Sequence, residues 1–131
     1  MALITWTEEQ YGTTVAVADD QHKTLFGMLN KLHELAAGGN RLSVGNQLDE
    51  LINFVVKHFQ TEQDLMQAKG YPDLAAHKAE HDKLVGTCAD LQKKFHAGQA
   101  EITQDTTAFV KGWLDSHIPT FDKPYGPALN G

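Results

Sequence analysis

The chain has 131 residues, 41% of them apolar, and a net charge of −6 with histidine counted neutral. One domain spanning residues 1–131 is expected, long enough to bury a core without disulfide staples. No apolar run is long enough to cross a bilayer, and no basic patch recommends nucleic acid or an anionic membrane as a partner.

Residues 1–18 have no helical period and read as an arm. Its first residues, Met1-Ala2-Leu3-Ile4-Thr5-Trp6, lack the charged and then apolar stretches of a signal peptide. The first helix is predicted from about Asp19 to Ala37, stopped by Gly38-Gly39. The second runs from about Ser43, a good N-cap, to Lys69, with Gly70 as its stop. A third opens near Pro72-Asp73 and ends before Gly98. The fourth opens near Thr103 and reaches at least His117. Residues 123–131, rich in Pro and Gly, form a tail. Short connections make neighbouring helices antiparallel, so the expected fold is all-α, an up-down-up-down four-helix bundle with a non-helical N-terminal arm.

Each helix carries one inward stripe at 3-4 spacing: His22, Leu25, Leu29, Leu32 and Ala36 in the first; Leu48, Leu51, Val55, His58, Glu62 and Leu65 in the second; Leu74, His77, His81, Leu84, Cys88, Leu91 and Phe95 in the third; and Thr107, Val110, Leu114 and His117 in the fourth. Polar, metal-binding residue types therefore occupy positions otherwise given to Leu and Val. They lie near the starts of the first and third helices and the ends of the second and fourth. Antiparallel packing brings all of those to one level. His58 with Glu62, and His77 with His81, are one helical turn apart and can each chelate or bridge. A glutamate buried among leucines without a partner costs several kcal/mol, which cations would remove. With Asp122, the set makes seven donors, too many for one ion and suited to two. Imidazole with carboxylate suits iron or zinc, and no cysteine is among the donors.

The pair His117 and Asp122 is irregular. Five residues on an ideal helix leave them about 140° out of line. Pro119 also lacks an amide hydrogen. A kink or wide turn at 118–122 must swing Asp122 inward. Two further histidines fall outside the layer. His33 lies eleven residues beyond His22, roughly 16 Å along the axis, and His96 is further still from His81. Cys88 reads as a small buried hydrophobe that cannot form an internal disulfide, which fits a reducing cytoplasm. Glu80 reads as a solvated helix-face charge, and Asp64 points away from the stripe.

The ordered series His22, His58-x3-Glu62, His77-x3-His81 and His117-x4-Asp122 resembles the hemerythrin family. So do the flanking Trp6, Tyr11-Gly12, Asp20-Gln21-His22-Lys23 and Trp113-Leu114-x2-His117-Ile118. The likeness covers nearly the whole chain. It implies two non-haem iron ions with an oxo or hydroxo bridge, and reversible binding of dioxygen for carriage or storage. It further implies that His77, His81 and His117 hold one iron, that His22 and His58 hold the other, and that Glu62 and Asp122 bridge. The two-histidine iron keeps the open position. Leu114 is a candidate for lining the dioxygen pocket, with Trp113 and Phe59 as flanking wall. Only two carboxylates serve the site, and no Glu-x-x-His occurs among the donors, unlike carboxylate-rich di-iron oxidases. The alternatives are a di-iron oxygen or redox sensor, disfavoured because no output domain or long linker is attached, and a peroxidase- or oxidase-type enzyme. A cytoplasmic monomer without enzymatic turnover is expected.

Overall fold

The structure is a computed structural model that describes residues 2–130. Met1 and Gly131, the ends of the predicted arm and tail, lie outside the described residues. The helices are α1 (Glu8–Tyr11), α2 (Ala16–Gly38), α3 (Arg41–Ala68), α4 (Leu74–His96), α5 (Gln104–His117) and α6 (Gly126–Asn130). A π-helical turn (Ile118–Asp122) and a 3-10 turn (Lys123–Tyr125) join α5 to α6. The four long helices α2–α5 form the bundle, with α2 against α3 and α5, and α3 against α4.

Local chemistry explains the boundaries. Thr103 caps α5 in a capping box with Thr106, as its position suggests. At α3 the cap is Asn40, whose side chain accepts from the Ser43 amide at 2.8 Å. Ser43 is thus inside the helix rather than at its cap. Gly70 and Gly98 both take positive φ, 64° and 76°. Each closes its helix by two back-bonds, Gly70 to Gln67 with Tyr71 to Met66, and Gly98 to Phe95 with Gln99 to Lys94. That is the Schellman ending, whose left-handed residue favours glycine.

Two expectations about the ends need correction. The arm is not wholly non-helical: Thr7 caps the single turn α1, which seats Tyr11 on Phe26 and lets its hydroxyl donate to Asp115. Strong side-chain anchors, not helical period, organise this segment. Ile4 exchanges two hydrogen bonds with the Asn30 amide, and Asp19 accepts from the amide and hydroxyl of Thr13. At the other end, the tail folds back as short helical turns and buries Tyr125 completely. Thr13 and Gly126 touch so closely that a Cβ at Gly126 would lie 2.2 Å from the Thr13 carbonyl oxygen. Only glycine fits there.

The interior has two apolar clusters. The larger fills most of the bundle with Leu25, Leu29, Leu32, Leu48, Leu51, Leu84, Leu114 and their neighbours. The smaller joins Val15, Ala18, Met66 and Tyr125 at one end. Between them lies a polar layer with almost no exposure to solvent.

Candidate metal centre

The structure brings together all seven residues singled out from spacing. His22, His58, Glu62, His77, His81 and Asp122 are at most 1% exposed, and His117 is 4% exposed. Starts of α2 and α4 meet ends of α3 and α5, which requires the antiparallel arrangement. The π-helical turn solves the His117–Asp122 problem. A π-helix bonds each residue to the one five ahead, so residues five apart become neighbours across a turn. The Lys123 amide donates to Ile118 in that way, and Asp122 Oδ1 lies 3.1 Å from His117 Nε2. Pro119 sits in the first turn of this stretch, where it helps break the α-helical bonding pattern.

The two carboxylates divide their oxygens between two sets of imidazoles. Glu62 Oε1 faces His81 at 3.3 Å and His77 at 4.0 Å, while Oε2 faces His22 and His58, each at 3.4 Å. Asp122 Oδ1 faces His77 at 2.8 Å and His117 at 3.1 Å, while Oδ2 faces His22 at 3.1 Å. Two donor groups result: Glu62, His77, His81, His117 and Asp122 in one, and His22, His58, Glu62 and Asp122 in the other. Both carboxylates are shared between them.

These atoms fit metal ions better than one another. The Nε2 atoms of His22, His77, His81 and His117, with Glu62 Oε1 and both Asp122 oxygens, are buried without a hydrogen-bond partner. They approach to about 3 Å without hydrogen-bond alignment, because they aim at common points. Two donors at a right angle, each about 2.1 Å from one ion, would lie about 3.0 Å apart. So many orphaned buried donors would consume a large part of a domain's folding margin unless cations, or in their place protons, satisfied them.

Outer partners orient the rings. Gln21 Oε1 lies 2.7 Å from His58 Nδ1, so that ring donates outward and turns a bare Nε2 inward. Gln21 is in turn tied to Thr61. The Gln63 amide lies 3.1 Å from His81 Nδ1, and a flip of that amide offers its oxygen instead. Phe59 stacks on His81 at 3.7 Å, and Trp113 stacks on His117 at 4.2 Å. Both aromatics therefore wall the three-histidine side. Leu114 is buried in the large apolar cluster one turn before Ile118.

Electrostatics match a site built for cations. Burial would raise both carboxyl groups, yet the surrounding imidazoles hold Glu62 and Asp122 below the usual carboxylate range. Burial pushes His58 down to about 4, which keeps it neutral. Burial also opposes charge on His22, but Asp122 and Glu62 beside it outweigh that and raise it to about 10. In chelated protein, a proton on His22 would take the place of a cation.

Sequence reasoning missed Tyr125. Its hydroxyl donates to Glu62 Oε2 at 2.5 Å, and its ring stacks on His77. It lies in a Pro- and Gly-rich stretch with no helical period, so nothing in its spacing marked it. Gln63 was missed as well; its place one residue after Glu62 was the available signal. The residues set aside stay apart. His33 Nδ1 pairs with the Thr107 hydroxyl, and His96 pairs with Asp49. Glu80 pairs with Lys83 at the surface, and Asp64 with Gln60.

The fold and site define a class: a helical bundle with a buried histidine–carboxylate centre whose side chains form two groups able to hold a metal ion. Comparison with known proteins gives the lineage. The family model of the hemerythrin HHE cation binding domain matches residues 13–129. A bacteriohemerythrin of Methylococcus capsulatus is 66% identical over 99% of both chains. One from Stenotrophomonas maltophilia is 34% identical over 95% of this chain and 80% of its own. A wild-type hemerythrin crystal structure superposes with a TM-score of 0.98 at 65% identity, covering 99% of this chain and 100% of that one. The chain belongs to the hemerythrin family.

Proposed function

We infer that this protein binds dioxygen reversibly, as a carrier or store, at a non-haem di-iron centre held by His22, His58, Glu62, His77, His81, His117 and Asp122. The observation that carries the reading is that two fully buried carboxylates are shared between two donor groups, one with three imidazoles and the other with two. When bound, the two irons would lend dioxygen two electrons on binding and take them back on its release. The chain supplies everything else. Glu62 and Asp122 would be shared by the two ions, and the side of His22 and His58, one imidazole short of the other, would leave room for a small ligand. Leu114 lines that pocket and keeps water out. A dry pocket is what separates reversible binding from proton-driven loss of reduced oxygen.

Tyr125 is the observation that a peroxidase or oxidase reading would use, since it places a hydroxyl beside the layer. Burial first, and then the charges of Glu62 and Asp122, raise its pKa strongly. Its hydroxyl is committed to Glu62 Oε2, so it holds that carboxylate in place rather than delivering a proton to a bound ligand, which favours carriage over turnover. Among the described residues no helix is long and apolar enough to cross a membrane. The large exposed apolar residues Val17, Leu42, Val56 and Phe109 are scattered over three helices, which supports a monomer.

Optical spectroscopy of the reduced protein tests the reading. A visible charge-transfer band should appear in air, vanish under argon, and return over repeated cycles. A band that never forms, or that decays each time with consumption of dioxygen, contradicts carriage.

A further inference from the structure

The half of the bundle away from the metal layer is not completely filled. A cavity of about 30 Å³ lies among all four long helices. Leu32 of α2, Leu51 and Val55 of α3, Cys88 of α4 and Val110 of α5 are among its walls. A single water needs only about 10–15 Å³ of such space, so a small molecule fits.

Nothing in the cavity would hold a water there. Its two threonines have committed their hydroxyls elsewhere: Thr107 to the Gln104 carbonyl and His33, and Thr106 to the Thr103 amide. Burial raises the Cys88 thiol to about 11, so it stays neutral and apolar. Apolar cavities of this kind stay dry and take up apolar guests. The cavity is also close to the metal layer. Val55 is three residues before His58, and Val110 is seven before His117, which is about 5 and 10 Å along the axis at 1.5 Å per residue. Leu25, Leu84, Phe59 and Leu114, each within three residues of a layer histidine, belong to the same apolar cluster as the cavity walls Leu32, Leu51 and Val55. No charged residue lines the cavity.

We propose that this cavity is a second, metal-independent holding site for dioxygen, from which the ligand reaches the metal layer through the apolar core. Its occupant is identified by chemistry: small, uncharged, apolar, and the size of a gas molecule. The proposal rests on the dioxygen-binding reading for the identity of that guest, but the chamber itself can be tested without it.

Xenon is the probe. Metal-loaded protein should show a saturable xenon-129 shift in solution. Crystals under xenon pressure should show one atom between Cys88 and Val110. Cys88→Leu fills the space from α4, and Val110→Leu fills it from α5, so the test survives if either variant misfolds. Each folded variant should lose the saturable xenon shift while keeping wild-type metal content. Each should also take up dioxygen severalfold more slowly in stopped flow. The proposal is overturned if wild-type protein shows no saturable xenon binding. It is equally overturned if both filled variants keep that binding, or lose it while dioxygen uptake is unchanged. If xenon binds as expected but reduced protein never binds dioxygen, the functional reading fails and the chamber stands as an apolar gas site alone.

Discussion

The two halves of the bundle use the same helices, and the same 3-4 stripes, in opposite ways. Away from the metal layer the stripes carry Leu29, Leu32, Leu48, Leu51 and Leu91, and apolar burial supplies the stability. At the layer the same stripes carry His22, His58, Glu62, His77, His81 and His117. There burial works against stability until something answers the buried donors. One half needs no ligand for its stability. The other is complete only with cations, so its folding and its metal affinity are one quantity.

Paired substitutions break this comparison most sharply. Asp122→Asn removes a shared carboxylate from the layer. In metal-loaded protein it should lower the iron content and destabilise by about 3–5 kcal/mol, the range for removing one partner from a buried charge network. Elemental analysis and denaturant titration would read the two effects together. Leu29→Ala, in the other half, should cost a comparable or smaller amount, about 2–5 kcal/mol, through its cavity. Its iron content should equal that of the wild type. A Leu29→Ala protein that lost iron would show that the halves are not separable.

Tyr125→Phe sharpens the boundary of the layer. It deletes one hydrogen bond to a charged acceptor, on the order of 1.5–3 kcal/mol. All seven donors stay in place, so two irons should still bind, with lower affinity in a chelator competition. Unchanged affinity would mean that Tyr125 only seals the end of the bundle.

The smallest expected effect is in pH, and only for the metal-free chain. His22 has a raised folded pKa, about 10 against an ordinary 6.5, so its contribution is complete below about 6.5 and is lost as pH rises toward 10. His58 has a depressed one, about 4, so its contribution is complete above about 6.5 and is lost as pH falls toward 4. Glu62 and Asp122, also depressed, add to the loss on the acid side. Chelated protein should therefore melt highest near neutral pH and lower on both sides. With metal bound, no proton is needed on His22, and the alkaline decline should shrink. Melting curves of loaded and chelated protein between pH 5 and 10 would show it. Parallel curves would contradict the picture of His22 as a stand-in cation.

Much of this was legible from spacing because the layer obeys the bundle's own period. His58, Glu62, His77 and His81 sit where a leucine would, and antiparallel packing does the rest. Asp122 was harder. Its spacing of five is wrong for an α-helix, and only the proline hinted at the π-helical turn that rescues it. Tyr125 and the arm were not legible. Their positions depend on contacts between residues more than 60 apart, Tyr125 with Glu62 and Tyr11 with Asp115, and no local period records such contacts. The walls were half legible. Phe59 and Trp113 do flank the layer, but they stack on His81 and His117 rather than on the side of His22 and His58.

Iron analysis of the purified, reconstituted protein tests the central claim most directly. Two irons per chain are predicted, with both lost or halved in Glu62→Gln and Asp122→Asn because each carboxylate serves both ions. One metal per chain, zinc in place of iron, or two irons retained in both variants would contradict a shared-carboxylate di-iron centre.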